Sequence, residues 1–288
     1  MSATSAATRP LLGYGTNGFA DHPLGDALDL LQSNGYQAVA LTLGHPHFDP
    51  FGDGWHDRAI ALRADLERRG LRVVVETGAR YVLDPARKHR PNLLDDDADA
   101  AARVAFLVRA IEIAQVLGAE CVSLWSGVLP EGVDPDVAWR RLVATLRDVV
   151  AAARTHGVRL GFEPEPGMLV ETVADALRLR AELGDPPELG ITVDLGHCVV
   201  VEPAGVEGAL RAAGDLLVNV QVDDMLPRAH EHLELGTGAV DLELAFRTLA
   251  EIGYTGVAAI ELPRHSHAAP RIAAESIARM NDVIERIA

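Results

Sequence analysis

Four short apolar runs in the second half of the chain each stop on an oxygen donor. Leu160-Gly161-Phe162 ends in Glu163, Ile191-Thr192-Val193 in Asp194, Val218-Asn219-Val220 in Gln221, and Val257-Ala258-Ala259-Ile260 in Glu261. Three carboxylates and one amide oxygen suit a hard divalent cation, provided rigid elements bring them together. One acid at a strand end ordinarily caps a helix or pairs with an arginine. Four donors, one per run, instead describe parallel strands delivering their tips to one metal. An amide in place of an imidazole favours Mn2+, with Mg2+, Co2+ and Zn2+ as alternatives. Glu165 lies two residues past Glu163, so an extended chain points both the same way. Glu163 is taken as the ligand because it ends the run, leaving Glu165 to meet a substrate.

Other residues join this set. His197 follows Asp194 by three, and His230 and His232 flank Glu231 ahead of the Gly236-Thr237-Gly238 turn. They are candidates for bonding substrate hydroxyls or orienting ligands. Glu76 ends a further apolar run, the third expected strand, and Trp125, at the end of another, offers an indole wall for a substrate. Arg80, Arg87, Lys88 and Arg90 form the one basic cluster. Lys88 is the only lysine of the chain and lies in a polar stretch, which argues against a Schiff-base enzyme needing a buried amine. No Gly-Lys-Ser/Thr phosphate loop occurs. Cys121 and Cys198 make neither a disulfide framework nor a zinc ribbon.

The elements that must hold these groups alternate along the chain. Strands are expected at 11–15, 38–43, 72–76, 121–125, 158–163, 189–194, 216–222 and 257–261. Helices are expected near 23–34, 55–70, 96–117, 135–156, 171–184, 204–213, 241–253 and 270–287. Asp134-Pro135 reads as an N-cap followed by proline at the first helical position, and Gly118, Gly157 and Gly253 as helix terminators. Eight β/α units with no dividing linker predict a single domain over residues 1–288, a closed (β/α)8 TIM barrel. In that fold, active-site residues come from strand C-termini and the loops after them, where the acids and histidines fall. A doubly wound open sheet is less favoured: Gly13, Gly15 and Gly18 have the Gly-x-Gly-x-x-Gly spacing, but the first two fall within the first strand and not in a turn after it.

Glu163-Pro164, Val193-Asp194-Leu195-Gly196-His197, His232-Leu233-Glu234-Leu235-Gly236-Thr237-Gly238 and Gly253-Tyr254-Thr255-Gly256 before Glu261 together resemble the xylose-isomerase-like TIM-barrel superfamily. It includes sugar-phosphate isomerases, ketose 3-epimerases, inosose dehydratases and endonuclease IV. The resemblance covers residues 158–262 well and the first half only through its β/α rhythm. It implies Glu163, Asp194, Gln221 and Glu261 as the metal set, although relatives usually carry histidine where Gln221 stands. It also implies Glu163 and Glu261 as the acid/base pair, moving a proton next to a carbonyl through a metal-stabilised enediolate. His197, His230 and His232 fall near a further metal-binding group of endonuclease IV, so a two-metal hydrolase is the alternative. Relatives also lead one to expect homo-oligomers.

Composition narrows the field. The net charge of −16 opposes a protein that grips a nucleic-acid backbone. No apolar run approaches a bilayer span, and the first ten residues contain no secretory h-region, so a cytoplasmic protein is expected. The combined expectation is a metal-dependent isomerase, epimerase or dehydratase of a sugar, sugar phosphate or cyclitol. A barrel that only binds a metabolite is disfavoured, since binding alone gives little reason to gather three carboxylates at strand tips.

Overall fold

The computed structural model describes residues 9–78 and 80–287, and the fold is a (β/α)8 TIM barrel. Its eight parallel strands are β1 (Leu11–Gly15), β2 (Ala38–Thr42), β3 (Arg72–Glu76), β4 (Val122–Leu124), β5 (Leu160–Phe162), β6 (Leu189–Asp194), β7 (Leu217–Val222) and β10 (Val257–Ile260). They close in the order β1-β10-β7-β6-β5-β4-β3-β2. Between β7 and β10 lies an antiparallel hairpin, β8 (Asp224–Leu226) with β9 (Ala229–Leu233), which the sequence did not announce.

The helices are α1 (Leu24–Ser33), α2 (Trp55–Arg69), α3 (Asp97–Leu117), α4 (Pro135–His156), α5 (Val173–Glu182), α6 (Leu195–Val201), α7 (Gly205–Ala213), α8 (Leu242–Glu251) and α9 (Ala269–Ile287). Their limits follow local chemistry. Asp134 accepts from the backbone of Asp136 at 2.9 Å and Val137 at 3.3 Å at the start of α4. Gly118 and Gly157 end α3 and α4 at φ of 66° and 65°, in the left-handed region where a Cβ is penalised.

Strand alternation explains how the site is placed. Side chains on a strand point to opposite faces in turn. Ala38, Ala40, Val74, Cys121, Val218, Val257 and Ala259 form a small cluster inside the barrel. Val39, Leu41, Val73, Val75, Ala258 and Ile260 pack outward in the larger core shared with the helices. Two residues beyond Val74 is Glu76, and two beyond Ala259 is Glu261. In the register of β10, β7 and β6, Ala259 stands beside Gln221 and Gln221 beside Asp194. Gly161, level with Ser123, is followed two residues on by Glu163. The apolar lower barrel therefore gives way, at one level, to an inward layer of acids.

Candidate functional site

That inward layer is buried. Glu76, Glu163, Asp194 and Gln221 are almost wholly inaccessible, and Glu261 is half-buried beside them. Neighbouring strands fix the backbone here: Glu163 N donates to Leu124 O at 2.8 Å and Glu261 N to Val222 O at 3.1 Å. Asn17, just after β1, donates from Nδ2 to Glu261 Oε1 at 3.0 Å. Asn219 of β7 reaches across the barrel to Glu76 Oε1 at 3.2 Å. Neither asparagine is marked by the sequence as a site residue; closure of β1 against β10 and the narrowness of the barrel bring them in.

Asp194 serves two elements. It ends β6, and its Oδ1 accepts from His197 N at 2.8 Å, capping α6. Its other oxygen, Oδ2, is buried without a hydrogen-bond partner, as is Gln221 Oε1. Such orphaned acceptors are costly in a protein interior. Ligand atoms of Glu163, Asp194 and His197 lie within 4.8 Å of one another, and so do those of Asp194, His232 and Glu261. The donor set is oxygen with imidazole, and it fits a divalent cation.

The electrostatics agree. Burial, reinforced by Glu261, holds the Glu163 carboxyl well above its usual range. The same two causes push Glu76 up to about 8, and Glu165 also up to about 8. Glu261 is raised mainly by burial. Carboxylates crowded out of water bind protons in place of a cation.

The histidines sit over this layer. His197 is buried, its Nδ1 3.6 Å from Glu163 Oε1, and burial lowers its pKa to about 4. Its Nε2 lies 3.1 Å from His230 Nε2, and His230 Nε2 lies 3.8 Å from Glu165 Oε1. The third imidazole, His232, places Nδ1 2.6 Å from Asp223 Oδ2, an ion-pair contact whose angles fall outside hydrogen-bond geometry. Burial works to lower the His232 pKa, but Asp223 and the acid layer outweigh it and raise the ring to about 10. Donor atoms of His197, His230 and His232 also converge within 4.8 Å. Asp223 was not foreseen from sequence. Its Oδ1 accepts from Gly196 N at 3.0 Å, and a Cβ at Gly196 would collide with it.

Most of these groups line one cavity of about 700 Å3 at the C-terminal end of the barrel, whereas Asp194 and Asp223 do not border it. Glu76, Trp125, Glu163, Glu165, His197, Gln221, His230, His232 and Glu261 all border it. Trp125 is held from behind by the buried Arg103, whose guanidinium carbon lies 4.2 Å from the ring centroid and whose Nη2 donates to Thr77 O at 2.9 Å. His47 is turned away from the cavity and ties its loop to the carbonyls of Phe19 and His22. Among the described residues, no helix is long and apolar enough to cross a membrane.

A closed barrel with acids and imidazoles at the strand C-termini defines a class of enzyme-like folds, and comparison with known proteins assigns the family. The chain belongs to the xylose isomerase-like TIM barrel family, whose model matches residues 28–283. The uncharacterized protein MJ1311 of Methanocaldococcus jannaschii is 32% identical over 164 residues. That alignment covers 53% of this chain and 54% of MJ1311, about half the length of each. L-ribulose-5-phosphate 3-epimerase UlaE of Escherichia coli is 29% identical over 228 residues, covering 78% of this chain and 80% of UlaE. A xylose isomerase domain protein from Planctomyces limnophilus superposes with a TM-score of 0.74 at 23% identity, over 98% of this chain and 99% of that one. At that identity the structural likeness concerns the fold.

Proposed function

We propose that the chain is a metal-dependent sugar isomerase or epimerase that moves a proton next to the carbonyl of a small polyhydroxylated substrate. The observation that carries this reading is the buried inward layer of Glu163, Asp194, Gln221 and Glu261, with two acceptor oxygens left unpartnered. These four residues would hold the cation, with Mn2+ the first candidate. A cation bound there would lower the cost of negative charge developing on the carbonyl oxygen. Similarity to UlaE supports a sugar substrate and an epimerase.

Glu163 and Glu261 serve as the acid/base pair. They project from β5 and β10, which are separated by β6 and β7 around the barrel, and so approach a bound molecule from two sides. One takes a carbon-bound proton and the other returns it. Asn17 holds Glu261 in place, and Glu165, His197, His230 and His232 supply polar contacts to hydroxyls. Glu76 and Trp125 complete the substrate wall.

Two measurements test this reading. Protein purified without chelator should carry about one divalent cation per chain, lost in Glu261→Gln. A panel of ketoses and ketose phosphates in deuterated water should show exchange of one carbon-bound proton, abolished in Glu163→Gln. Metal-free protein that cannot be reloaded would overturn it. The convergence of His197, His230 and His232 favours a second reading, a two-metal hydrolase of a small substrate. Two metals per chain, with release of phosphate or alcohol and no proton exchange, would select it.

A further inference from the structure

The loop between β3 and α3 carries the basic cluster, and the structure divides it in two. Arg87 is tied to Asp84 at 2.6 Å and approaches Asp99 at 3.6 Å. Arg90 is paired with Asp95 and donates to Val128 O at 3.4 Å. Both have structural partners. Among the described residues, Lys88 meets no carboxylate within 4.0 Å, and the Arg80 side chain donates only to Pro263 O, at 3.1 Å. Arg264, from the loop after β10, joins them with only an exposed 3.7 Å contact to Glu231. Arg80, Lys88 and Arg264 all border the cavity that holds the acid layer.

These three cations repel one another. Partial burial and then the charges of Arg80 and Arg264 push the Lys88 ammonium below its usual range. Their attraction to the acid layer is long-range: Lys88 acts on Glu165 and Arg80 on Glu261, each beyond ion-pair contact. A chain with a net charge of −16 has carboxylates enough to neutralise such a cluster, as it does for Arg87 and Arg90. Here it leaves the cations facing the cavity, opposite the acids. A dianion with several acceptor oxygens would relieve the repulsion and accept charge-assisted hydrogen bonds.

We infer that Arg80, Lys88 and Arg264 form a subsite for the phosphate ester of a phosphorylated sugar, whose carbonyl end then lies against Glu163 and Glu261. The orientation of the carbonyl end rests on the proposed isomerase reading; the anion subsite is tested without it. Inorganic phosphate is titrated by calorimetry into metal-loaded wild type, Lys88→Ala/Arg264→Ala, Arg80→Ala and Glu163→Gln, with folding checked by circular dichroism. Wild type should bind phosphate, and the double variant about tenfold or more weakly, with affinity falling as salt is added. Arg80→Ala should weaken binding in the same direction, and Glu163→Gln should retain it. Acetate, a monoanion, should bind more weakly than phosphate.

Phosphate that fails to bind wild type, binds the double variant equally well, or is lost only in Glu163→Gln would overturn the subsite. Acetate binding as tightly as phosphate would overturn the ester assignment. Phosphate binding without proton exchange on any sugar would overturn the isomerase reading alone. Exchange on unphosphorylated sugars without phosphate binding would overturn the subsite alone.

Discussion

Replacing Glu76 by glutamine should stabilise the metal-free protein, and do so as a function of pH. Glu76 is buried at the end of β3 within the acid layer, and burial followed by Glu261 raises its pKa from 4.5 to about 8. A carboxyl whose folded pKa lies above its unfolded value binds its proton more tightly when folded. Its ionisation in the unfolded chain therefore favours unfolding increasingly from pH 4.5 upward, levelling off once the folded pKa is passed. From 4.5 to 7, at about 1.36 kcal/mol per unit, the cost reaches about 3 kcal/mol; at pH 5 it is about 1 kcal/mol. Glutamine keeps the shape and an oxygen to accept from Asn219, and it cannot ionise. Urea unfolding in chelator should show Glu76→Gln more stable than wild type by about 3 kcal/mol at pH 7 and about 1 kcal/mol at pH 5. No gain at pH 7, or the same gain at both pH values, would refute the argument that desolvation and crowding govern this residue.

Two further outcomes follow from Asp223 and its neighbours. Gly196→Ala would drive a Cβ into Asp223 Oδ1 at the start of α6, and should cost about 1–3 kcal/mol in the same unfolding assay; wild-type stability would contradict the close packing. Asp223→Asn should move the His232 titration, followed by NMR in the metal-free protein, from about 10 toward the ordinary 6.5. With that raised folded pKa, protonated His232 stabilises the wild type fully below 6.5, and the contribution is lost as pH rises through about 10; the variant should lose it already near neutral pH. An unmoved titration would show that the acid layer alone charges the ring.

Most of the scaffold was legible because two periodicities carry it. The β3 and β6 limits coincide with the predicted 72–76 and 189–194, each run closing on its acid, Glu76 or Asp194. The acid layer was legible because each donor ends a short β-type run, and Glu76, Glu163 and Glu261 stand one alternation beyond the inward Val74, Gly161 and Ala259. The segment after Asp194 was not. Leu195-Gly196-His197-Cys198 carries a glycine and reads as a loop, yet it is helical because Asp194 caps it and Asp223 receives Gly196 N. In residues 224–233 the only regular alternation is His230-Glu231-His232, and 226–231 lie exposed, so no apolar pattern marked a hairpin. Arg264, three residues past Glu261, was within reach of the pocket by spacing, and it does border the cavity; Asn17 could not be found that way. It reaches Glu261 through barrel closure, a contact between the two ends of the chain.

The hairpin makes two parts of this protein separable in evolution. Asp224 clasps its base, accepting from Gly236 N at 2.8 Å and Val240 N at 2.9 Å, so the ten residues from Asp224 to Leu233 project from a fixed foot. His230 and His232 ride on this projection, whereas Glu163, Asp194, Gln221 and Glu261 belong to the wall below. Mutation along the hairpin can exchange His230, and with it the molecules admitted, without disturbing the register of a single barrel strand, whereas His232 is tied to Asp223. Change in the wall must pass through the core first. A lineage built on this plan can explore new substrates cheaply while its underlying chemistry stays put.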